Sequence, residues 1–365
     1  MRDATASAEA RTRALLVAVL LLYVAIVAGL MAMDRATFIW KTAAVPAIVL
    51  VAVLCGRPSA VVRDWALFLG AVVLFDSFRG LIFAAIVRWD LPYYARYAID
   101  AEHVLLGGTT LPHVLQRWWL VPGRFGILDR LLVGVHASHF FVFLLFGVVV
   151  WRFRRPAFPR FRVGVLTLLG SALVIYALVP TVPPWMAAAE PLHLIPRLTH
   201  VSAHVYGHDI LKSLTGTFDI NPVAAMPSLH TAFPVFCAIF AVRAFGARGA
   251  WLSLYALTVC VAIGYLGEHY LVDIIAGALL AIAVDLTIHS RAVARRLAGG
   301  ASVLAPVQWS RLRAVVLAAL MAVLAAEIVG QAAVVLRDGR QFHTRGFIER
   351  ELTARAGRTD QRALR

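Results

Sequence analysis

Apolar residues fall in long blocks along most of this chain, broken by short polar or arginine-bearing stretches. A helix needs about 20 mostly apolar residues to cross a bilayer's hydrocarbon core. The pattern predicts nine such runs, at about 14–33, 38–55, 65–87, 127–151, 163–182, 229–245, 250–266, 270–289 and 314–336. The expected fold is all-α: a polytopic integral membrane helix bundle of about nine transmembrane helices. Two longer segments interrupt the pattern. The first, about 88–126, carries Trp89, Tyr93, Tyr94, Tyr97, Trp118 and Trp119. Aromatics at this density suit a membrane–water interface, and part of the segment is predicted to lie there as an amphipathic helix. The second, about 183–227, follows Pro180-Thr181-Val182-Pro183-Pro184-Trp185, whose prolines force a non-helical turn. No internal repeat or low-complexity linker stands out, so the chain reads as one domain.

Composition sharpens this picture. The 365 residues are 61% hydrophobic with mean hydropathy +0.79, which excludes an ordinary soluble domain. The net charge of +15 is almost all arginine, with lysine at Lys41 and Lys212. Arg57 and Arg63, then Arg152, Arg154, Arg155, Arg160 and Arg162, then Arg243 and Arg248, then Arg291, Arg295, Arg296, Arg311 and Arg313 occupy alternate connections. With Arg2, Arg11 and Arg13 they mark the cytoplasmic side. The first run is longer than a signal-peptide core and is expected to be retained. The arginine-rich tail 337–365 conflicts with this parity. Either the tail departs from the rule or the ninth run does not span. No basic stripe with interleaved aromatics points to nucleic acid. Cys55, Cys237 and Cys260 sit in apolar runs without CxxC spacing and read as small buried side chains rather than disulfides or zinc ligands. Arginine in place of lysine, with abundant alanine and valine, fits a GC-rich bacterial genome and hence a bacterial plasma membrane.

The candidate chemistry lies in two stretches. Asn221-Pro222-Val223-Ala224-Ala225-Met226-Pro227-Ser228-Leu229-His230 opens one apolar run, and Gly264-Tyr265-Leu266-Gly267-Glu268-His269-Tyr270-Leu271-Val272-Asp273 opens another. Charge parity places both on the extracytoplasmic face. Helix starts present free N–H groups and the positive end of the dipole, so two of them make a cradle for phosphate. Ser228 suits a cap. His269 and Asp273, four apart, share a helix face, where the carboxylate can fix the imidazole tautomer and leave the other nitrogen as nucleophile or base. An aspartate one turn into a span is costly and needs a partner. A structural His269–Asp273 pair is the competing reading. His230 can serve as general acid, and Ser228 can bind phosphoryl oxygens.

Pro-Ser-Leu-His at 227–230 and His-Tyr-Leu-Val-Asp at 269–273 resemble the second and third signature motifs of the type-2 phosphatidic acid phosphatase superfamily. Leu229, Pro183-Pro184-Trp185, Tyr265 and His269-Tyr270 are more similar to its inositolphosphotransferase branch, which includes inositol phosphorylceramide synthases. Specific matching covers about 222–277, with a looser match from Phe75-Asp76-Ser77-Phe78-Arg79-Gly80 onward. The resemblance implies phosphoryl transfer without metal or other cofactor. It implies that His269 attacks phosphorus to form a phosphohistidine and that Asp273 orients it. It further implies that His230 protonates the leaving alcohol and then activates water or an acceptor hydroxyl, while Ser228 holds a phosphate oxygen. The chain then divides into N-terminal helices and an outer interfacial segment (1–125), a catalytic core (126–290), and a cytoplasmic basic loop, last helix and tail (291–365).

The chain departs from the family pattern twice. No lysine lies seven residues before an Arg-Pro: Arg155-Pro156 has Val148 at that position. Ile263 stands where an arginine is expected six residues before the nucleophile. Arg79 and Lys212 are the candidate replacements. For Arg79 the alternative is an intramembrane pair with Asp76, and for Lys212 a solvated loop side chain. His200, His204 and His208, followed by Asp209, share a face if helical. They can bind a transition metal or form a polar face over the site mouth. His136 and His139 read as packing residues with a hydrogen bond rather than as catalytic ones.

The expected function is a membrane-embedded lipid phosphotransferase, with a lipid phosphate as substrate and a lipid alcohol as acceptor. A lipid phosphate phosphatase shares its first half-reaction. A non-enzymatic lipid transporter, its pathway lined by Asp76, Arg79, His136 and His139, is the reading from another class. Neither the lipid nor the oligomeric state is encoded in a readable motif.

Overall fold

The computed structural model describes residues 58–94, 96–121, 126–187 and 221–290, with eight scattered positions between 10 and 25. The runs expected at 38–55 and 314–336, nearly all of 14–33, Lys212 and the 200–208 histidines lie outside the described residues. The chain forms two compact units, Met1–Ala71 with Ser302–Arg365, and Val72–Ala301. The second contains every described residue of the candidate site.

The described residues are helical, without strands. Helix α1 runs Pro58–Arg88, α2 Arg96–Leu106, α3 Leu111–Trp119, α4 Ile127–Phe153, α5 Phe158–Leu178, α6 Leu229–Phe245, α7 Trp251–Tyr265 and α8 Leu271–Ile288. The outer segment 88–126 thus folds largely into two short helices. In lipid each backbone N–H and C=O must find an internal partner, which makes a helix the default for an apolar run. Stretches long and apolar enough to cross a membrane are Arg63–Arg88, Arg155–Leu178, Leu229–Tyr265 and Leu271–Ile288, together with the bent pair Ile127–His139 and Phe141–Phe153. That makes four, or five with the bent pair, among the described residues, and the expected nine are not reached there. Leu229–Tyr265 is a hairpin rather than one rod. Its chain reverses through a 3-10 turn at Gly246–Ala250, and Cys260 of α7 returns to Thr231 of α6. Gly246 adopts φ +66°, which suits glycine at a helix end. Leu74, Phe78 and Leu81 of α1, Leu254 and Leu257 of α7, and Leu279, Ile282 and Leu286 of α8 are exposed. Such an apolar exterior would be a liability in water and is what lipid contact requires.

The hairpin sets the geometry of the site. Helices α6 and α8 pack against each other and run in the same direction, because α7 carries the chain back from the end of one to the start of the other. At one end Ser228 N–H donates to the Asp273 carbonyl at 3.1 Å. At the other, Arg243 clamps Asp285 through Nη2–Oδ2 at 2.7 Å and Nε–Oδ2 at 2.9 Å, and His289 Nδ1 meets Oδ1 at 3.1 Å. Two parallel helix starts therefore point their positive dipole ends at one place. Phe146, Phe161, Phe236 and Phe240 pack α4, α5 and α6 together with ring centroids 5.3–6.4 Å apart. Gly164 permits this approach: a Cβ there would lie 2.3 Å from Phe236 Cζ.

Helix α4 bends by 55° between His139 and Phe141. The His139 ring supplies a cause. Its Nδ1 bonds the His136 carbonyl, which an unbroken helix would reserve for the N–H four residues on.

Candidate active site

The loop before α6 is held from three directions. Thr181 lies between two extended neighbours, donating its N–H to Val223 O at 2.7 Å and accepting from Ala225 N–H at 3.0 Å. Tyr97 Oη hydrogen-bonds Thr181 Oγ1 at 2.6 Å and reaches Met226 Sδ at 3.2 Å. Burial pushes the Tyr97 phenol up to about 12, so it stays a neutral brace. Tyr176 donates to the Pro227 carbonyl at 3.0 Å. The non-helical turn expected after Pro180 is thus the rail on which the first motif is laid. Ser228 follows as the α6 cap, its buried Oγ accepting from Thr231 N–H at 3.3 Å. This leaves the hydroxyl proton available to donate.

The second motif is placed by the turn between α7 and α8. Gly267, at φ +76°, allows the chain to reverse, and the N–H groups of Glu268 and His269 both return to Ile263 O. Gln116 of α3 donates to the Tyr265 carbonyl at 2.8 Å, and Tyr265 Oη donates to Asp129, whose other oxygen caps α4 through Gly126 N–H. Asp273, fully buried, accepts the Tyr270 N–H at 2.9 Å.

The functional side chains then form a line. Asp273 Oδ2 lies 3.6 Å from His269 Nδ1, and His269 Nε2 lies 2.8 Å from His230 Nδ1. The first distance is an ion-pair separation, longer than the hydrogen bond expected for fixing a tautomer. With Nδ1 of His269 facing the carboxylate as N–H, Nε2 holds the lone pair and His230 Nδ1 is the donor. The two imidazoles are thus already in contact. Arg79 lies close enough for its charge to act on His230, His139 and Tyr176. Its Nη1 also sits 3.3 Å from Asp76 Oδ1, so the pairing weighed from sequence is present alongside the proximity to the histidines.

Residues 112–286 match the family model described as the PAP2 superfamily. The matched segment carries both motifs, and over it the chain resembles that superfamily. The chain is also similar to the inositol phosphorylceramide synthase catalytic subunit aur1 of Schizosaccharomyces pombe, at 28% identity over 239 residues, 62% of this chain and 51% of that protein. It spans about half the length of that relative. No solved structure matches the chain significantly.

The matched segment holds Ser228, His230, His269 and Asp273, and the fold brings all four to the paired starts of α6 and α8. Arg79 joins them from α1, outside the matched residues. Sequence reasoning missed the supports of this candidate site. Tyr97, Tyr176 and Thr181 carry no local signal of their role. Glu102 is the clearest omission. Its fully buried carboxylate accepts N–H groups from the first residues of two helices, Leu111 of α3 at 2.8 Å and Leu271 of α8. Burial pushes it up from the ordinary 4.5 to about 7, against the pull of those donors.

A pH dependence follows. Between about 4.5 and 7 the unfolded chain has released this proton while the folded chain still holds it. Glu102 therefore contributes stability that is complete below about 4.5 and is lost as pH rises through about 7. Glu102→Gln keeps one acceptor but cannot ionise. Its melting temperature in detergent is expected to lack the decline that wild type shows from pH 5 to pH 8. An identical slope in both proteins would assign the effect to other groups.

Proposed function

We propose that the protein is a membrane enzyme that transfers a phosphoalcohol headgroup, of the phosphoinositol type, from one lipid to the hydroxyl of another. The carrying observation is the Asp273–His269–His230 line at two parallel helix starts. The similarity to an inositol phosphorylceramide synthase subunit supports the branch. Residues 126–290 would form the catalytic core, in a bacterial plasma membrane with the site on the extracytoplasmic face. Its acyl chains would stay in lipid beside the exposed apolar helix faces.

In the first half-reaction the phosphate parts the two imidazoles, exchanging the 2.8 Å contact for bonds to its oxygens. His269 Nε2 attacks phosphorus as the bond to the lipid alcohol breaks. His230 enters this step as the imidazolium, gives its Nδ1 proton to the departing oxygen and is left neutral. The fully buried Asp273 carboxylate stabilises the charge that develops on His269. The helix starts, Ser228 Oγ and Arg79 bind the phosphoryl oxygens, with Lys212 as a second cation. In the second half-reaction His230 removes a proton from the acceptor hydroxyl. The new oxygen attacks phosphorus, the P–N bond breaks, and neutral His269 returns. No step requires a metal. Water in the acceptor's place makes the same site a lipid phosphate phosphatase.

The test uses purified protein in detergent with phosphatidylinositol labelled in its phosphate, and ceramide or diacylglycerol as acceptor. Transfer predicts label in a new lipid, increasing with acceptor. Label released only as a water-soluble phosphate would establish the phosphatase. No turnover of phosphatidylinositol or phosphatidic acid, with intact lipid binding, would overturn the enzyme reading in favour of a transporter.

A further inference from the structure

We propose that His136, His139 and His230 form a binding site for a divalent transition-metal ion of the zinc class, and that its occupancy inhibits the enzyme. The site draws on two helices. His136 and His139 come from one turn of α4, beside its bend, and His230 from the first turn of α6. Their ring centroids lie 5.2, 5.1 and 4.1 Å apart, and one ligand nitrogen from each lies within 4.8 Å of the others. Nitrogens around a tetrahedral zinc, with bonds of about 2.0–2.1 Å, sit roughly 3.4 Å apart. The rings reach that spacing by closing inward by about an ångström, which side-chain rotation supplies.

The outer contacts suit metal binding. His139 Nδ1 faces a backbone carbonyl, which only accepts, so Nδ1 carries the proton and Nε2 the lone pair. His230 Nδ1 faces His269 Nε2, and the same reasoning along the Asp273–His269–His230 line leaves its lone pair on Nε2. Two of the three rings are thus held in a ligating tautomer by their neighbours. No carboxylate belongs to the trio, and Phe143 stacks on Phe233 nearby on the same two helices, with centroids 4.4 Å apart. Imidazoles without carboxylates favour zinc, copper or nickel over magnesium or calcium.

The inhibitory part rests on the function proposed above, in which His230 must leave His269 to admit phosphate. A metal on His230 Nε2 ties that ring to α4 and fixes it over the attacking nitrogen. It also opposes the positive charge His230 would take up on receiving a proton.

The test is titration of the purified, metal-free full chain in detergent with Co2+. The expected result is saturable visible ligand-field bands of a tetrahedral cobalt–imidazole centre, displaced by Zn2+. In His139→Gln, checked for an unchanged gel-filtration profile, apparent affinity should fall at least ~10²-fold. His136→Gln, prepared in parallel, should behave alike. Absent bands, or bands of full strength in both variants, would overturn the site. Lipid turnover is read in the same samples: zinc should inhibit wild type over the range in which it displaces cobalt, and inhibit the variants only at far higher concentration. Displacement with undiminished turnover would overturn the inhibitory role. Bands without turnover of any lipid would uphold the site and sink the enzyme reading instead.

Discussion

His269→Ala is expected to lower lipid phosphoryl turnover by at least ~10³-fold, because in the proposed mechanism it removes the atom that bonds to phosphorus. The fold should survive. His269 contributes to the α7–α8 turn through its backbone N–H, which alanine retains, and Asp273 keeps the Tyr270 N–H. The measurement is paired. Brief reaction with phosphate-labelled lipid should leave acid-labile label on wild type and none on His269→Ala, while both elute alike on gel filtration. His230→Ala gives the complementary result under the same mechanism. With a natural lipid it should slow both half-reactions, but with a labelled substrate whose leaving group needs no proton, label should accumulate while transfer to acceptor stalls. Turnover within tenfold of wild type in His269→Ala would remove His269 from the nucleophile's role, leaving the His269–Asp273 pair as a structural device.

What was readable beforehand followed from local pattern. Membrane helices announce themselves because a bilayer demands continuous apolar length, and α4, α6, α7 and α8 begin and end within two residues of their expected limits, whereas α1 and α5 start several residues earlier than expected. The site was readable because His269 and Asp273 are one turn apart at a helix start and His230 follows Ser228 at another. Spacing placed them on shared faces, and the resemblance of the two motifs to a known family supplied their expected roles. That the two motifs share one end of the bundle followed from charge parity, and the starts of α6 and α8 do lie side by side. Contacts across the sequence carried no such mark. Glu102 reaches Leu271, and Tyr97 reaches Thr181 and Met226, with no periodicity to announce either. His136 and His139 sit in a run that read as apolar packing. Only the bend in α4 and the approach of α6 bring their rings onto His230. The 3.6 Å between His269 and Asp273 shows the limit of spacing, which fixes a shared face but not a hydrogen bond.

Gly277→Ala is expected to cost about 10²-fold in turnover although the residue touches no reacting group. Gly277 lies one turn after Asp273, where α8 crosses the start of α6. A Cβ there would stand 2.3 Å from the Ser228 carbonyl oxygen and 3.1 Å from Thr231 Cβ. The oxygen cannot swing aside, because it already accepts the Ala232 N–H at 2.9 Å within the first turn of α6. The two helix starts must instead part by about 1 Å, a displacement of reacting groups that can cost ~10²-fold in rate. That movement would stretch both links between them, the 3.1 Å bond from Ser228 to Asp273 and the 2.8 Å contact of His230 with His269. Overpacking should also cost about 1–3 kcal/mol of stability. Gly170→Ala supplies the control, since a Cβ at that position in α5 meets nothing within 4 Å. It should leave turnover intact and add a few tenths to about 1 kcal/mol through helix propensity. If Gly277→Ala melts lower than wild type yet keeps full turnover, the site tolerates separation of its two helices, and the direct His230–His269 contact is not what positions the chemistry. If turnover falls together with the melting temperature, the crossing at Gly277 acts on the geometry of the histidine pair as well as on stability, which is the outcome the close approach of two backbones predicts.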